Sequence, residues 1–162
     1  MTRSDFVKTI MGQINDDDVL ITSTGLISRE VYHQKDRGLN FYMLGSMGNA
    51  LAIGIGLALH LENRVFVLNG DGSALMGLGA MVTEKSLNLT NLYHFILDNS
   101  CHESTGGQKT SSEFVDFSKL GANTMVFRLE KEEKTPPRID VSCEFISTRF
   151  KDAVESICRK RV

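Results

Sequence analysis

Two short apolar runs, each ending in polar residues, constrain this chain more than any other feature. The first, Arg64-Val65-Phe66-Val67-Leu68-Asn69, delivers Gly70-Asp71-Gly72-Ser73; the second, Leu92-Tyr93-His94-Phe95-Ile96-Leu97, delivers Asp98-Asn99-Ser100. Runs of this length, rich in β-branched and aromatic residues, read as buried strands. The 26 residues from Ser73 to Asp98 suffice for a crossover helix and a return strand, so the stretch predicts a parallel βαβ unit. Asp71 and Asn99 then stand at the carboxyl ends of parallel strands, where open α/β sheets bind ligands. A carboxylate and an amide oxygen beside a glycine-lined turn suit a hard divalent cation holding a phosphorylated cofactor.

The rest of the chain extends this pattern. Phe6, Val7, Ile10, Met11 and Ile14 recur at helical spacing, predicting a helix from about Ser4 to Ile14. Val19-Leu20-Ile21-Thr22 reads as a strand ending in the turn Ser23-Thr24-Gly25, with Ser28 capping a helix to Gln34 and Glu30 in its first turn. Phe41-Tyr42-Met43-Leu44 predicts another strand, then Gly45-Ser46-Met47-Gly48 opens a helix from Asn49 to Leu61. Gly54 and Gly56 weaken that helix, which points to close packing on the sheet. Residues 100–115 read as a long polar loop. A short helix at Asp116–Ala122, a strand at Thr124–Leu129, a charged connector, an edge strand at Arg138–Ser142 and a helix marked by Phe150, Val154, Ile157 and Cys158 complete the reading. Strands alternating with helices predict an α/β fold around a mostly parallel sheet.

Composition narrows the function. With 162 residues the chain is one domain of ordinary size, and 18 basic against 20 acidic residues, a net charge of −2 with no basic run, argue against nucleic acid. The longest apolar run, Ala50–Leu59, is too short to span a bilayer, and the first residues lack a signal-peptide pattern. Cys101, Cys143 and Cys158 are odd in number and not spaced as a metal knuckle, so a reducing cytoplasm is the simplest setting. The apolar runs Asn49–Leu61 and Ala74–Met81 predict a homo- or hetero-oligomer.

A Gly-Asp-Gly alone is a weak signal, because any tight βα turn carries one; Asp71 as a helix cap and Asn99 in an Asx-turn are the plainer readings, and both are compatible with a metal site. Together, however, Gly70-Asp71-Gly72-Ser73 with Asp98-Asn99 resembles the metal-and-diphosphate motif of the thiamine diphosphate enzymes. Ser23–Glu30, Phe41–Gly48 and Leu97–Gln108 are further similar to the phosphonopyruvate decarboxylases and related sulfopyruvate decarboxylases, the likeness running from about Val19 to Gln108. The resemblance implies a three-layer α/β/α diphosphate-binding fold, with residues 1–162 forming a single diphosphate-binding domain.

It also implies roles. Asp71, the Asn99 side chain and the Cys101 carbonyl would bind Mg²⁺. Gly70, Gly72, Ser73, Thr24 and Gly25 would receive the diphosphate, with Ser46 beside them in the cofactor-binding set. The Gly45 carbonyl would accept from the cofactor's 4′-amino group, and Met47 would wedge between its two rings, although Met47 alone reads equally as core filler. His102 and Glu103 follow directly from a ligand and become catalytic candidates, for anion binding or proton transfer. Ser104 and Gln108 are candidate donors, and His33, His60 and His94 are read as structural.

The activating glutamate of this enzyme class belongs to a pyrimidine-binding domain, which 162 residues leave no room for. A partner domain or alpha-type subunit is therefore expected to supply it. The implied reaction is Mg²⁺-dependent decarboxylation of a 3-substituted pyruvate, phosphonopyruvate being favoured by the Ser-Thr-Gly and His-Glu-Ser-Thr-Gly-Gly-Gln sequences. Sulfopyruvate decarboxylation by a beta-type subunit is the alternative, and a non-catalytic cofactor-binding module is a second class of reading. A plain dinucleotide-binding module ranks last, since no Gly-x-Gly-x-x-Gly follows the first strand.

Overall fold

In the computed structural model, which describes residues 1–159, five strands form one parallel sheet: β1 (Val19–Thr22), β2 (Asn40–Tyr42), β3 (Val65–Gly70), β4 (Leu92–Asp98) and, last in the chain, β7 (Thr124–Arg128). Between the last two, β5 (Cys101–His102) and β6 (Gln108–Lys109) pair antiparallel as a separate ribbon. The sheet order is β2-β1-β3-β4-β7. From β1 the chain first moves outward to β2 and then returns across β1 to β3. The crevice between the carboxyl ends of β1 and β3 is thus the topological switch point of the sheet.

Strict alternation of side chains fills two cores. Val19, Ile21, Val65, Val67, Leu92 and Ile96 face one side, against α3 (Ala50–His60) and α5 (Leu78–Leu87). Leu20, Tyr42, Phe66, Leu68, Phe95 and Leu97 face the other, against α1 (Arg3–Gln13) and α2 (Leu26–Gln34). Both faces of a parallel sheet are covered, giving the three layers expected. The first helix is fixed by a capping box: the Asp5 N–H donates to the Thr2 hydroxyl at 3.1 Å, and the Thr2 N–H returns a bond to Asp5 at 3.2 Å. The last helix, α7 (Cys143–Arg159), packs beside β2 and buries Ile146, Phe150 and Ile157, while Cys158 faces outward.

Several local expectations need correction. Ser28 does not cap α2; Gly25 occupies that position, and the buried Ser28 hydroxyl instead donates to the Ser23 carbonyl at 2.5 Å. Glu30 lies beyond the first turn and points to Arg3. The crossover after β3 is two helices, α4 (Asp71–Met76) and α5, meeting at Gly77, where the carbonyl of Gly48 occupies the space a Cβ would need. Residues 100–115 are not a plain loop: they hold the β5–β6 ribbon and two 3₁₀ turns. The segment at 138–142 forms no strand; Pro136 and Pro137 precede it, and side-chain contacts hold it instead, Tyr32 donating to Asp140 at 2.6 Å.

The two helix glycines differ. A Cβ at Gly54 would sit 2.3 Å from Val67 Cγ2, whereas one at Gly56 would meet nothing within 4 Å. Close packing therefore explains Gly54 and not Gly56. Gly54→Ala is expected to cost about 1–3 kcal/mol through overpacking, and Gly56→Ala to gain up to about 1 kcal/mol through helix propensity. Urea unfolding of the two variants checks both signs.

Candidate functional site

The ends of β1 and β3 are tied together before any ligand is considered. The Ser23 N–H donates to the Leu68 carbonyl at 2.8 Å, and the Gly70 N–H to the Ser23 hydroxyl at 3.4 Å. Immediately beyond, one cleft opens at the switch point. Its lining gathers Thr24, Met47, Gly70, Asp71, Gly72 and Ser73 with Asn99, Cys101, His102 and Glu103 from the chain beyond β4. Ten residues singled out from separate parts of the sequence thus meet in one place. Gly25 lies just behind: it has φ +91, and a Cβ there would approach the Ser104 hydroxyl at 3.1 Å. Gly45 and Ser46 are exposed and line a neighbouring groove with Met43, Leu44, Ile53 and Cys143. Ser104 reaches the cleft rim, and Gln108 is exposed on β6.

The electrostatic centre is Asp71, only 2 % exposed. Its carboxylate accepts a hydrogen bond from the Thr110 hydroxyl, a neutral partner. Burial pushes its pKa above the ordinary carboxylate range, the Thr110 bond opposing that shift and the nearby Asp98 adding to it. Asp98 is already answered. It accepts from the Ser100 N–H at 2.9 Å, from the Ser112 hydroxyl at 3.1 Å and from the Arg128 guanidinium. Asp71 is therefore a buried carboxylate with no ion pair among the described residues, an arrangement that would suit a cation ligand.

Asn99 presents its amide in a defined orientation. Oδ1 accepts from the Cys101 N–H at 3.2 Å, the Asx-turn geometry, and Nδ2 donates to Glu103 Oε2 at 2.9 Å. An amide oxygen has two lone pairs, so the turn leaves one for a ligand. Ser100 holds φ +58, outside the usual range for a residue with a side chain, and its bonds to Asp98 secure that turn. Burial pushes the pKa of the Cys101 thiol up, with Glu103 and Asp71 adding to the shift. Among the described residues no group of three or more His, Cys, Asp and Glu side chains is arranged to hold a metal. The set Asp71, Asn99 amide and Cys101 carbonyl is of another kind, oxygen donors of mixed type that suit a hard ion also bound by phosphates.

His102 and Met47 pack over Gly72. A Cβ there would lie 2.7 Å from His102 Nδ1 and 3.2 Å from Met47 Cε, so only glycine lets both side chains reach the cleft floor. Glu103 is held from behind by Arg3, a residue that sequence reasoning missed. Arg3 is 3 % exposed, donates from Nη1 to Glu103 Oε2 at 3.0 Å, and lies 3.6 Å from Glu30 and 3.4 Å from Glu132. Thr110 and Ser112, which bridge Asp71 and Asp98, were missed as well. No local pattern marks these three, since the bonds from Arg3 to Glu103, Thr110 to Asp71 and Ser112 to Asp98 span 100, 39 and 14 residues. The structural reading of His94 fits its position: it is wholly buried between Asn69 and Thr124.

Comparison with known proteins adds an independent line. The family model for "Thiamine pyrophosphate enzyme, C-terminal TPP binding domain" matches residues 22–139. The chain is 39% identical over 158 residues to the sulfopyruvate decarboxylase subunit beta of Methanocaldococcus jannaschii, covering 97% of this chain and 80% of that one. It is 42% identical over 121 residues to the phosphonopyruvate decarboxylase of Streptomyces viridochromogenes, covering 75% of this chain and 30% of that one. Among solved structures, a protein of Mycobacterium smegmatis assigned to the thiamin diphosphate-dependent enzymes superimposes with a TM-score of 0.61 at 19% identity, over 75% of this chain and 25% of that one. A likeness at that identity carries the fold alone.

Proposed function

The chain belongs to the thiamine pyrophosphate enzymes, as a C-terminal TPP-binding domain, and on that premise we propose that it is the diphosphate-binding half of a decarboxylase acting on pyruvates with an anionic group at C3. The observation that carries this reading is the meeting of Asp71, Asn99, Cys101, Met47 and His102 in one cleft at the sheet's switch point. When bound there, the cofactor supplies the electron sink for loss of carbon dioxide from a 2-oxo acid. Asp71, the Asn99 amide oxygen and the Cys101 carbonyl hold Mg²⁺, and through it the diphosphate, beside Thr24, Gly25, Gly70, Gly72 and Ser73. Glu103 fixes which end of the Asn99 amide faces the ion. Met47, packed over Gly72 in the cleft, would lie against the bound cofactor. His102, its Nδ1 packed at Gly72, offers Nε2 to hold the substrate's anionic group or to carry a proton.

Gly45 and Ser46, exposed on the adjacent groove, are assigned to the aminopyrimidine half, where a pyrimidine-binding partner completes the site and contributes its glutamate. Residues 1–162 are accordingly read as a single domain. The exposed apolar side chains Leu59, Met76 and Val82 on α3, α4 and α5 support an oligomer. No helix among the described residues is long and apolar enough to cross a membrane. A reducing cytoplasm remains the proposed setting.

Sulfopyruvate is the first reading, supported by 39% identity over 158 residues to a beta subunit matched over 80% of its length. Phosphonopyruvate is the second reading, supported by 42% identity over 121 residues to the Streptomyces viridochromogenes enzyme. The test is reconstitution with a pyrimidine-domain subunit, Mg²⁺ and thiamine diphosphate. Carbon dioxide is expected from sulfopyruvate faster than from phosphonopyruvate, and none from the chain alone. The reverse order would select the second substrate. Release from neither, with cofactor bound, would leave a non-catalytic cofactor-binding module.

A further inference from the structure

A buried polar chain runs from the cleft to the far edge of the sheet. The Gly48 N–H donates to Ser73 Oγ at 3.1 Å, and the Ser73 hydroxyl to Asn69 Oδ1 at 3.1 Å. Asn69 Nδ2 lies 2.9 Å from His94 Nε2, and His94 Nδ1 lies 2.8 Å from Thr124 Oγ1. The Thr124 hydroxyl donates to Glu84 Oε2 at 2.9 Å, and Glu84 Oε1 accepts from the Asn123 N–H at 3.0 Å. A backbone N–H can only donate and an ionised carboxylate can only accept. With both ends fixed and a neutral His94 ring, every hydroxyl, amide and ring nitrogen between them has one consistent orientation, with the proton of His94 on Nδ1. Burial alone would raise the Glu84 pKa, but the His94 ring 3.8 Å away and the hydrogen bonds from Asn123 and Thr124 outweigh it and hold the carboxyl below its ordinary range.

Such a chain is costly to bury and gives a rigid arrangement only when every member is satisfied. Asn69, His94 and Glu84 are essentially inaccessible to solvent. Its output end is the turn that carries Met47. Gly48 holds φ +96, a Cβ there would meet Met76 Cβ at 2.9 Å, and its carbonyl crowds Gly77. The Ser73 hydroxyl is the side-chain partner that pins this tightly stacked turn.

We propose that Asn69, His94, Thr124 and Glu84 are positioning residues, which orient the Ser73 hydroxyl and thereby fix the Gly48 turn and Met47 for the cofactor. The proposal rests on the reading that the cleft holds thiamine diphosphate. Thr124→Val removes one hydroxyl at nearly constant volume, and Thr124→Ser retains it. The readouts are hydrogen exchange of the Gly48 amide in the full chain, corrected for global stability, and the affinity for thiamine diphosphate with Mg²⁺, with and without a pyrimidine-domain subunit. Thr124→Val is expected to speed Gly48 exchange and weaken affinity by about tenfold each, the scale of one hydrogen bond, and Thr124→Ser to behave as wild type. In a Ser73→Ala background, where the chain is already cut from Gly48, Thr124→Val is expected to change neither. A merely structural role for Thr124 predicts the same loss in both backgrounds, and that result, or Gly48 exchange that follows global stability alone, overturns the relay. A wild-type chain with the exchange pattern but no cofactor binding overturns instead the cofactor reading and the purpose assigned to the relay.

Discussion

Asp71→Ala is expected to abolish the stabilisation of this chain by Mg²⁺ and thiamine diphosphate while leaving the free chain at least as stable as wild type. The two halves of that result have one cause. The Asp71 carboxylate is buried with Thr110 as its hydrogen-bond donor and Asp98 as an unfavourable neighbour, so its charge opposes folding until a cation answers it. Removing the carboxylate relieves that cost and removes the ligand. For the wild type, a ligand at a hundred times its Kd adds about 2.7 kcal/mol, which raises Tm by roughly 5–10 °C for a domain of this size. Thermal denaturation with and without Mg²⁺ and cofactor is expected to show that shift in the wild type and none in the variant. A retained shift would remove Asp71 from the metal site.

Arg3→Ala is expected to be the most destabilising single change near the site. One guanidinium, 3 % exposed, faces Glu103, Glu30 and Glu132, and also donates to the Lys134 carbonyl at 3.0 Å. It thereby joins the start of α1, α2, the ribbon after β4 and the segment after β7. Its loss leaves three carboxylates together without their cation. Breaking a buried pair from one side costs about 3–5 kcal/mol; the partial exposure of the three carboxylates puts the expected loss near the lower figure, about 3 kcal/mol. Glu103 also loses its anchor, so the Asn99 amide is no longer held and cofactor affinity is expected to fall with stability. Arg3→Lys is expected to rescue little, because one ammonium cannot serve three carboxylates at the guanidinium's spread. Chemical denaturation of both variants measures the loss, and a cost under about 1 kcal/mol, the scale of a surface pair, would show the cluster to be solvated.

These two residues show what was legible in the sequence. Asp71 lies at the end of an apolar run that forms β3, and the alternation of Val65, Phe66, Val67 and Leu68 between the two cores follows from strand periodicity alone. The strand at Val19–Thr22 and the short helix after Asn49 were equally plain, because local pattern and tertiary burial agree there. Arg3 carries no local signal; its partners are assembled only when α1 docks on α2. The ribbon at 101–109 was hidden for the same reason, since polar residues in two-residue strands show no periodicity. Gly56 misled because a glycine in a helix looks the same whether it meets a neighbour or open space. The buried relay to Glu84 was invisible because a glutamate in an ordinary helical stretch reads as surface.

The central claim is that the cleft binds the diphosphate of thiamine diphosphate through a cation held by Asp71 and Asn99. Calorimetric titration of the full chain with thiamine diphosphate in Mg²⁺, with thiamine diphosphate in a chelator, and with thiamine in Mg²⁺ tests it directly. Heat of binding is expected in the first titration alone. Equal binding with the metal chelated, or of thiamine lacking the diphosphate, would contradict the account.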